Sequence, residues 1–281
     1  MKRERILVAL QGSDADTSPI AAATRLAPLF GADIRGLFVE PDPAAYMLWT
    51  GPGAAGASVV SSALDAVREE TDKACRIAED SFLAAMTGDL TEGASFRRIC
   101  DSPSDAAQQA RLVRLLVTCP HAAAGKGPLA DFTTACLVEE GCPVFVPRAG
   151  AMPPKTIAVA WDGSKEAARA AFAAEPLFQP GVKVTILHSS KNLDYQDRAV
   201  AAPNRLANWL SGRGIEATSK AVSTSSGLGG GLGDALLKGA EGCDLLVAGA
   251  YGQSRIAQFI FGGVTRTLLG ATDGPSLLIA H

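Results

Sequence analysis

The apolar positions of this chain fall into short runs, separated by longer stretches in which they recur every three or four residues, and the arrangement occurs twice. Residues 6–13 read Ile-Leu-Val-Ala-Leu-Gln-Gly-Ser, and residues 157–164 read Ile-Ala-Val-Ala-Trp-Asp-Gly-Ser. Each is a short apolar run that stops in a polar turn, the pattern of a buried strand. An alanine-rich helical stretch follows in both halves and reaches Pro28-Leu29-Phe30 in one and Pro176-Leu177-Phe178 in the other. A second strand is expected over 34–40 and over 182–189. Both halves close on a proline-led strand, Pro143 to Val146 and Pro275 to Ile279. Solenoid repeats are much shorter than this period, so the pattern indicates a duplicated domain.

Strands alternating with helices predict a parallel sheet covered on both faces. In the first half a fourth strand is expected at Leu115–Thr118. Val60, Leu64, Val67, Thr71, Ala74 and Ala78 recur at helical intervals and predict a long amphipathic helix. Its charged positions, Arg68 to Lys73, read as a solvated face. The second half predicts strands over 156–161, 182–189, 215–222, 244–249 and 276–279, the fourth being the most apolar and the deepest. Pro147 to Pro154 is proline-rich and aperiodic, so it reads as a stiff linker between residues 1–149 and 154–281. Pro41 to Ala57 has no counterpart of equal length in the second half. It reads as a surface loop, with a lid or contact surface as the sharper alternative.

The most informative segment is Leu245 to Gly252, followed by Gly262-Gly263-Val264-Thr265. An apolar strand empties into a glycine-rich stretch that leads to a new helix. Such a stretch lets backbone N–H groups approach an anion, and the helix adds unpaired amides and a positive dipole end. In an open doubly wound sheet, ligands sit beyond the carboxyl ends of the strands where the strand order reverses.

Composition narrows the field. The formal charge of −3, with both signs interspersed, excludes the basic excess of a nucleic-acid binder. No run is long enough to span a bilayer, and Ile6–Leu10 is too short for a signal peptide's core. The six cysteines form no CxxC pair, so they are expected to be reduced, cytosolic and buried. Gly227 to Gly233 holds no G-x-G-x-x-G register and follows a third strand, so it reads as a loop before a helix capped near Asp234, with a place beside a ribose as the weaker option. Gly125-Lys126-Gly127 lacks the rest of a P-loop. His121, His188 and His281 have no metal-ligand spacing, and His188 reads as a satisfied core histidine. No nucleophile elbow and no carboxylate pair is evident, so no dedicated catalytic set is expected.

The spacing Gly249-x2-Gly252-x9-Gly262 resembles the nucleotide-binding signature of the universal stress protein family. Val159 to Ser164 resembles that family's first strand and acidic turn. The resemblance covers nearly the whole chain and is strongest in the second half. It implies two tandem α/β domains, each a doubly wound parallel sheet (Rossmann-like, adenine nucleotide α-hydrolase-like) of order 3-2-1-4-5. It implies an adenine nucleotide, ATP foremost or else ADP or AMP, with Mg2+ as an option. It assigns nucleoside contact to Asp162 beside Ala160, adenine contact to the backbone of Ser189, and phosphate contact to Gly249, Gly252, Gly262, Gly263, Val264 and Thr265. Arg255 is a candidate phosphate cation, since Gln253 stands where the family often has a basic residue. Gly263 stands where the family normally carries Ser or Thr, so one hydroxyl donor is missing.

The first half departs from the signature, with Gln11 in the place of Asp162, so one competent site is expected. Family members pair through their final strands, which implies that Val144–Val146 and Leu277–Ile279 meet within this chain. A homodimer and an unidentified protein partner are further implications, in a cytoplasmic stress-response role. The alternatives are a protein-interaction module without nucleotide and a slow ATPase.

Overall fold

An apolar strand is stable only if both its faces are covered, and the helices of this chain are distributed to do that. The computed structural model describes residues 4–40, 57–189, 202–223, 231–250 and 263–281, the side chains of 57–63 excepted. Within them lie strands β1 (Glu4–Leu10), β2 (Ala32–Val39), β3 (Ser95–Ile99), β4 (Leu115–Val117), β5 (Val144–Val146), β6 (Thr156–Ala160), β7 (Lys183–His188), β8 (Ala217–Ala221), β9 (Leu245–Gly249) and β10 (Ser276–Ala280). They form one sheet in the order β3-β2-β1-β4-β5-β10-β9-β6-β7-β8. Counted within each half, the expected order 3-2-1-4-5 occurs twice. Strand pairs inside each half are parallel. The halves meet through β5 and β10, antiparallel, with Val146 opposite Leu277, Phe145 opposite Leu278 and Val144 opposite Ile279.

The helices are α1 (Thr17–Phe30), α2 (Ala57–Ala85), α3 (Pro103–Ala107), α4 (Pro120–Ala123), α5 (Ala130–Val138), α6 (Lys165–Ala173), α7 (Pro203–Ser211), α8 (Leu232–Gly239) and α9 (Gly263–Gly270). Side chains alternate across a strand, so β1 sends Ile6, Val8 and Leu10 to one core and Leu7 and Ala9 to the other. The first core packs under α1, α2, α6 and α7. The second packs under α3, α4, α5, α8 and α9. Both cores include residues of both halves. β9 is as deep as its composition predicts, with Leu245, Leu246 and Val247 fully buried.

The long amphipathic helix exists as α2, whose Ala78 and Phe82 are fully buried. β3 has no apolar run and is invisible to the periodicity argument. It lies at the sheet edge, where one flank is unpaired and most of its side chains are exposed. Gly231 accepts its expected capping partner, its amide donating to the Asp234 carboxylate at 2.8 Å. None of the cysteines forms a disulfide, but Cys100 is exposed and Cys243 only half-buried, which corrects the expectation that each is a buried small hydrophobe. Cys100 follows the edge strand β3, where no layer covers it. Residues 41–56 and 224–230, which include most of the long loop and most of the Gly227–Gly233 run, lie outside the described residues.

The stretch between the halves is tied down by side chains from the second half. Asp244, just before β9, accepts amide N–H groups of Ala151 (3.1 Å), Lys155 (2.8 Å) and Thr156 (2.9 Å), and the Thr156 hydroxyl at 2.9 Å. Gly150 lies so close to the Asp244 backbone that a Cβ there would collide with it. Arg148 donates to the carbonyl of Leu268 at 2.6 Å and its amide donates to the Ser276 hydroxyl at 3.1 Å. The guanidinium thus meets the C-terminal carbonyls of α9, the negative end of that helix. Burial draws it down to about 10, against the pull of Asp273.

Burial raises the Asp244 carboxyl, but the hydrogen bonds from Lys155, Ala151 and Thr156 outweigh it and hold the pKa below the ordinary 3.8. A depressed folded-state pKa stabilises the fold above the unfolded value and loses that contribution as pH falls through the folded one. Asp244→Ala is expected to cost about 2 kcal/mol at pH 7, the loss of a multiply bonded carboxylate. The gap between variant and parent in denaturant melts should begin to narrow as pH falls below 3.8 and close only beneath the lower folded-state value.

Candidate functional site

A sheet presents a crevice where neighbouring strands send their following helices to opposite faces. β6 and β9 are parallel neighbours, with Val159 opposite Val247. α6 follows β6 and packs Ala167, Ala170 and Ala171 into the first core. The next described helix after β9, α9, packs Leu268 and Leu269 into the second. The carboxyl ends of β6 and β9 therefore flank the switch point of the second half.

The predicted residues gather there as far as they are described. Ala160 ends β6 and is half-buried. Asp162 is half-buried in the turn that follows, and its carboxylate accepts the Ser164 amide at 2.9 Å. Ser164 caps α6, its hydroxyl accepting the Ala167 amide at 3.1 Å. Ser189 follows β7 at the same edge and is half-buried. Gly249 ends β9. Gly263 opens α9 and is exposed, Val264 is half-buried and Thr265 is 4% exposed. Gly252, Arg255 and Gly262 lie outside the described residues, as does Gln253.

Two glycines at this site have different surroundings. A Cβ on Gly249 would lie 2.5 Å from the Ala167 amide nitrogen and 2.9 Å from the Glu166 Cβ. Gly249 thus lets β9 and the first turn of α6 approach closely, a packing role the motif alone does not reveal. A Cβ on Gly263 meets no described residue within 4 Å. The missing hydroxyl therefore leaves open space at the helix start.

Other polar groups at this edge escaped the sequence argument. Glu166 is 3% exposed beside Gly249, its carboxylate 3.5 Å from the exposed ammonium of Lys165. The imidazole Nδ1 of His281 is 3.1 Å from the carbonyl of Ala250, and the His281 carbonyl accepts Arg169 at 3.0 Å. Trp161 is 8% exposed with its indole nitrogen buried and unpartnered. His188 is half-buried, and its Nδ1 is likewise buried without a partner. This corrects the expectation of a satisfied core histidine: at the strand end its Nδ1 finds no hydrogen-bond partner among the described residues. An unpaired buried donor costs about 1–3 kcal/mol. The signal available in sequence was parity, since Trp161 shares its strand face with Val159.

The equivalent turn of the first half is built differently. Asp16 is 3% exposed and accepts the amides of Gln11 (3.0 Å), Gly12 (2.7 Å) and Ser13 (3.4 Å). Burial raises its carboxyl, against the downward pull of those amides. Gly12 (φ +76°) also lies under the Ala74 carbonyl of α2, so close that no Cβ fits. The turn thus holds its own carboxylate under its own helix. In the second half Ala167 takes the position of Asp16, counted from the aligned strands. Gly125-Lys126-Gly127 ends a helix instead of opening one: the Gly125 and Lys126 amides donate to the Ala122 and His121 carbonyls, both at 3.0 Å. No group of three or more metal-ligating side chains occurs among the described residues. None of the described helices is long and apolar enough to cross a membrane.

Comparison with known proteins agrees with this geometry. Residues 154–280 match the model of the universal stress protein family. The solved universal stress protein from Archaeoglobus fulgidus DSM 4304 is 16% identical, with 98% of this chain and 95% of that chain covered at a TM-score of 0.68. A putative universal stress protein from Pseudomonas aeruginosa UCBPP-PA14 is 14% identical over 99% of this chain and 93% of that chain, with a TM-score of 0.52. A universal stress protein in complex with cAMP is 16% identical over 52% of this chain and 97% of its own, at a TM-score of 0.31. No curated protein matches.

Gly249→Ala is expected to destabilise the chain by about 2 kcal/mol, because strand and helix must separate. Gly263→Ala should shift the melting temperature far less, its Cβ entering open space. Thermal melts of the two variants test the distinction.

Proposed function

From the match of residues 154–280 to the universal stress protein family, we propose that this chain binds an adenine nucleotide, ATP foremost, at the carboxyl ends of β6 and β9. The observation that carries the reading is the switch point itself. Asp162 follows β6 there and Gly249 ends β9, and the next described helices, α6 and α9, pack on opposite faces of the sheet. In this reading Asp162 and the Ser189 backbone hold the nucleoside. The backbone at Gly249 and at Gly263 to Thr265 holds the phosphates, together with Gly252, Gly262 and Arg255. ADP or AMP binds by the same groups, and Mg2+ accompanies the phosphates.

The residues at the edge suit that ligand in kind. Exposed amides at a helix start attract anions, and the half-buried Asp162 carboxylate accepts hydrogen bonds from hydroxyls. The first half serves as a partner domain, because its own carboxylate takes the amides an anion would need. Residues 1–149 and 154–281 are the two domains. The protein acts in the cytoplasm as a stress-response regulator, as a homodimer or with a protein partner that senses occupancy. Hydrolysis of bound ATP is slow in this reading, with no water-orienting base standing out among the described residues at the edge.

A second reading is a protein-interaction module whose nucleotide site has decayed. Glu166 favours it, a buried carboxylate beside Gly249 that opposes a phosphate.

Calorimetric titration of ATP into ligand-free protein separates the two. Heat and a rise in melting temperature are expected, and neither appearing at millimolar ATP would leave the interaction module. Gly263→Ser should tighten ATP binding about fivefold, the worth of one regained hydroxyl donor. Phosphate release well above background, lost in Asp162→Asn, would instead assign an ATPase.

A further inference from the structure

Two buried ring nitrogens without a hydrogen-bond partner among the described residues lie at the carboxyl ends of adjacent strands in the second half. Trp161 follows β6 directly and His188 ends β7. Their strands are in parallel register, Ala160 opposite Leu187, and the Trp161 amide donates to the Leu187 carbonyl at 2.8 Å. Val159, Trp161 and Ile186 belong to the same core, whereas Leu187 belongs to the other. Alternation along β7 therefore puts His188 on the face of Trp161. Adjacent strands are roughly 4.8 Å apart, so the two rings are near neighbours. The Trp161 indole nitrogen and the His188 Nδ1 are both buried with no hydrogen-bond partner among the described residues.

The first half shows what this position requires for folding alone. Its counterparts, counted from the aligned strands, are Leu10 and Phe38, 0% and 3% exposed in the same core. Two apolar side chains fill the place fully. The second half carries two polar nitrogens there instead, with no hydrogen-bond partner among the described residues.

We propose that Trp161 and His188 read the edge of the purine base, and so set the preference of this site for adenine. An indole N–H only donates, and a neutral imidazole nitrogen can accept. Adenine presents the complement on one edge: a ring nitrogen that accepts the indole N–H, beside an amino group that donates to His188 Nδ1. The preference comes from side chains, in addition to whatever backbone at Ser189 contributes. A base without the amino group leaves the histidine nitrogen unpaired and is discriminated against. The inference rests on the nucleotide reading above.

The test compares ATP, purine riboside triphosphate (which lacks the amino group) and inorganic tripolyphosphate by calorimetry on the full chain. The parent is expected to prefer ATP to purine riboside triphosphate about tenfold, one hydrogen bond's worth. The double variant Trp161→Leu with His188→Phe installs the side chains of the first half. It should bind ATP about 100-fold more weakly, lose the preference, and keep the parent's affinity for tripolyphosphate. If the double variant does not fold, His188→Phe alone carries the test and should abolish the preference. A variant that retains both ATP affinity and preference overturns the role of these two rings and leaves the nucleotide reading standing. A parent that binds none of the three ligands overturns both.

Discussion

The ladder between β5 and β10 is the interaction on which the rest of the molecule depends. Each half ends in a strand with both faces apolar, and Val144, Phe145, Val146, Leu277, Leu278 and Ile279 are all fully buried. A strand of that kind left at a sheet edge would present an apolar template to any other chain. Antiparallel pairing of the two within one chain removes both edges at once and makes the two sheets continuous. The pairing also carries each core across the junction, so neither half packs independently of the other. The edges that remain, β3 and β8, are the most polar strands of the sheet.

The junction is reinforced from the second half. Asp244 collects the amides of the connecting stretch, and Arg148 reaches the C-terminal end of α9. α9 thus has its amino end at the proposed phosphate site and its carboxyl end on the inter-half connection. The same short helix touches the site and the seam.

Duplication has left two crevices with different chemistry. In the first, Asp16 supplies an internal anion to the turn after β1, and α2 lies over Gly12. In the second, an alanine replaces that carboxylate, α9 begins with an open glycine, and two ring nitrogens lack partners. A fold constrains its strands far more tightly than the loops at their ends, so copies can keep one architecture while their crevices diverge.

The sequence by itself determined the duplication, the α/β class, the deep position of β9 and the long helix α2, because burial on both faces and helical periodicity are written in residue order. It also pointed to the glycine-rich edge after residue 248. The edge strand β3 was not legible, since a strand paired on one side needs no apolar run. Tertiary structure alone decided that Gly249 makes room for α6, that Asp16 closes the turn of the first half, and that Trp161 Nε1 and His188 Nδ1 are buried without a hydrogen-bond partner among the described residues. Each of these depends on groups distant in sequence being brought within a few ångströms, and no local pattern of residues encodes which backbone or side chain will occupy that space.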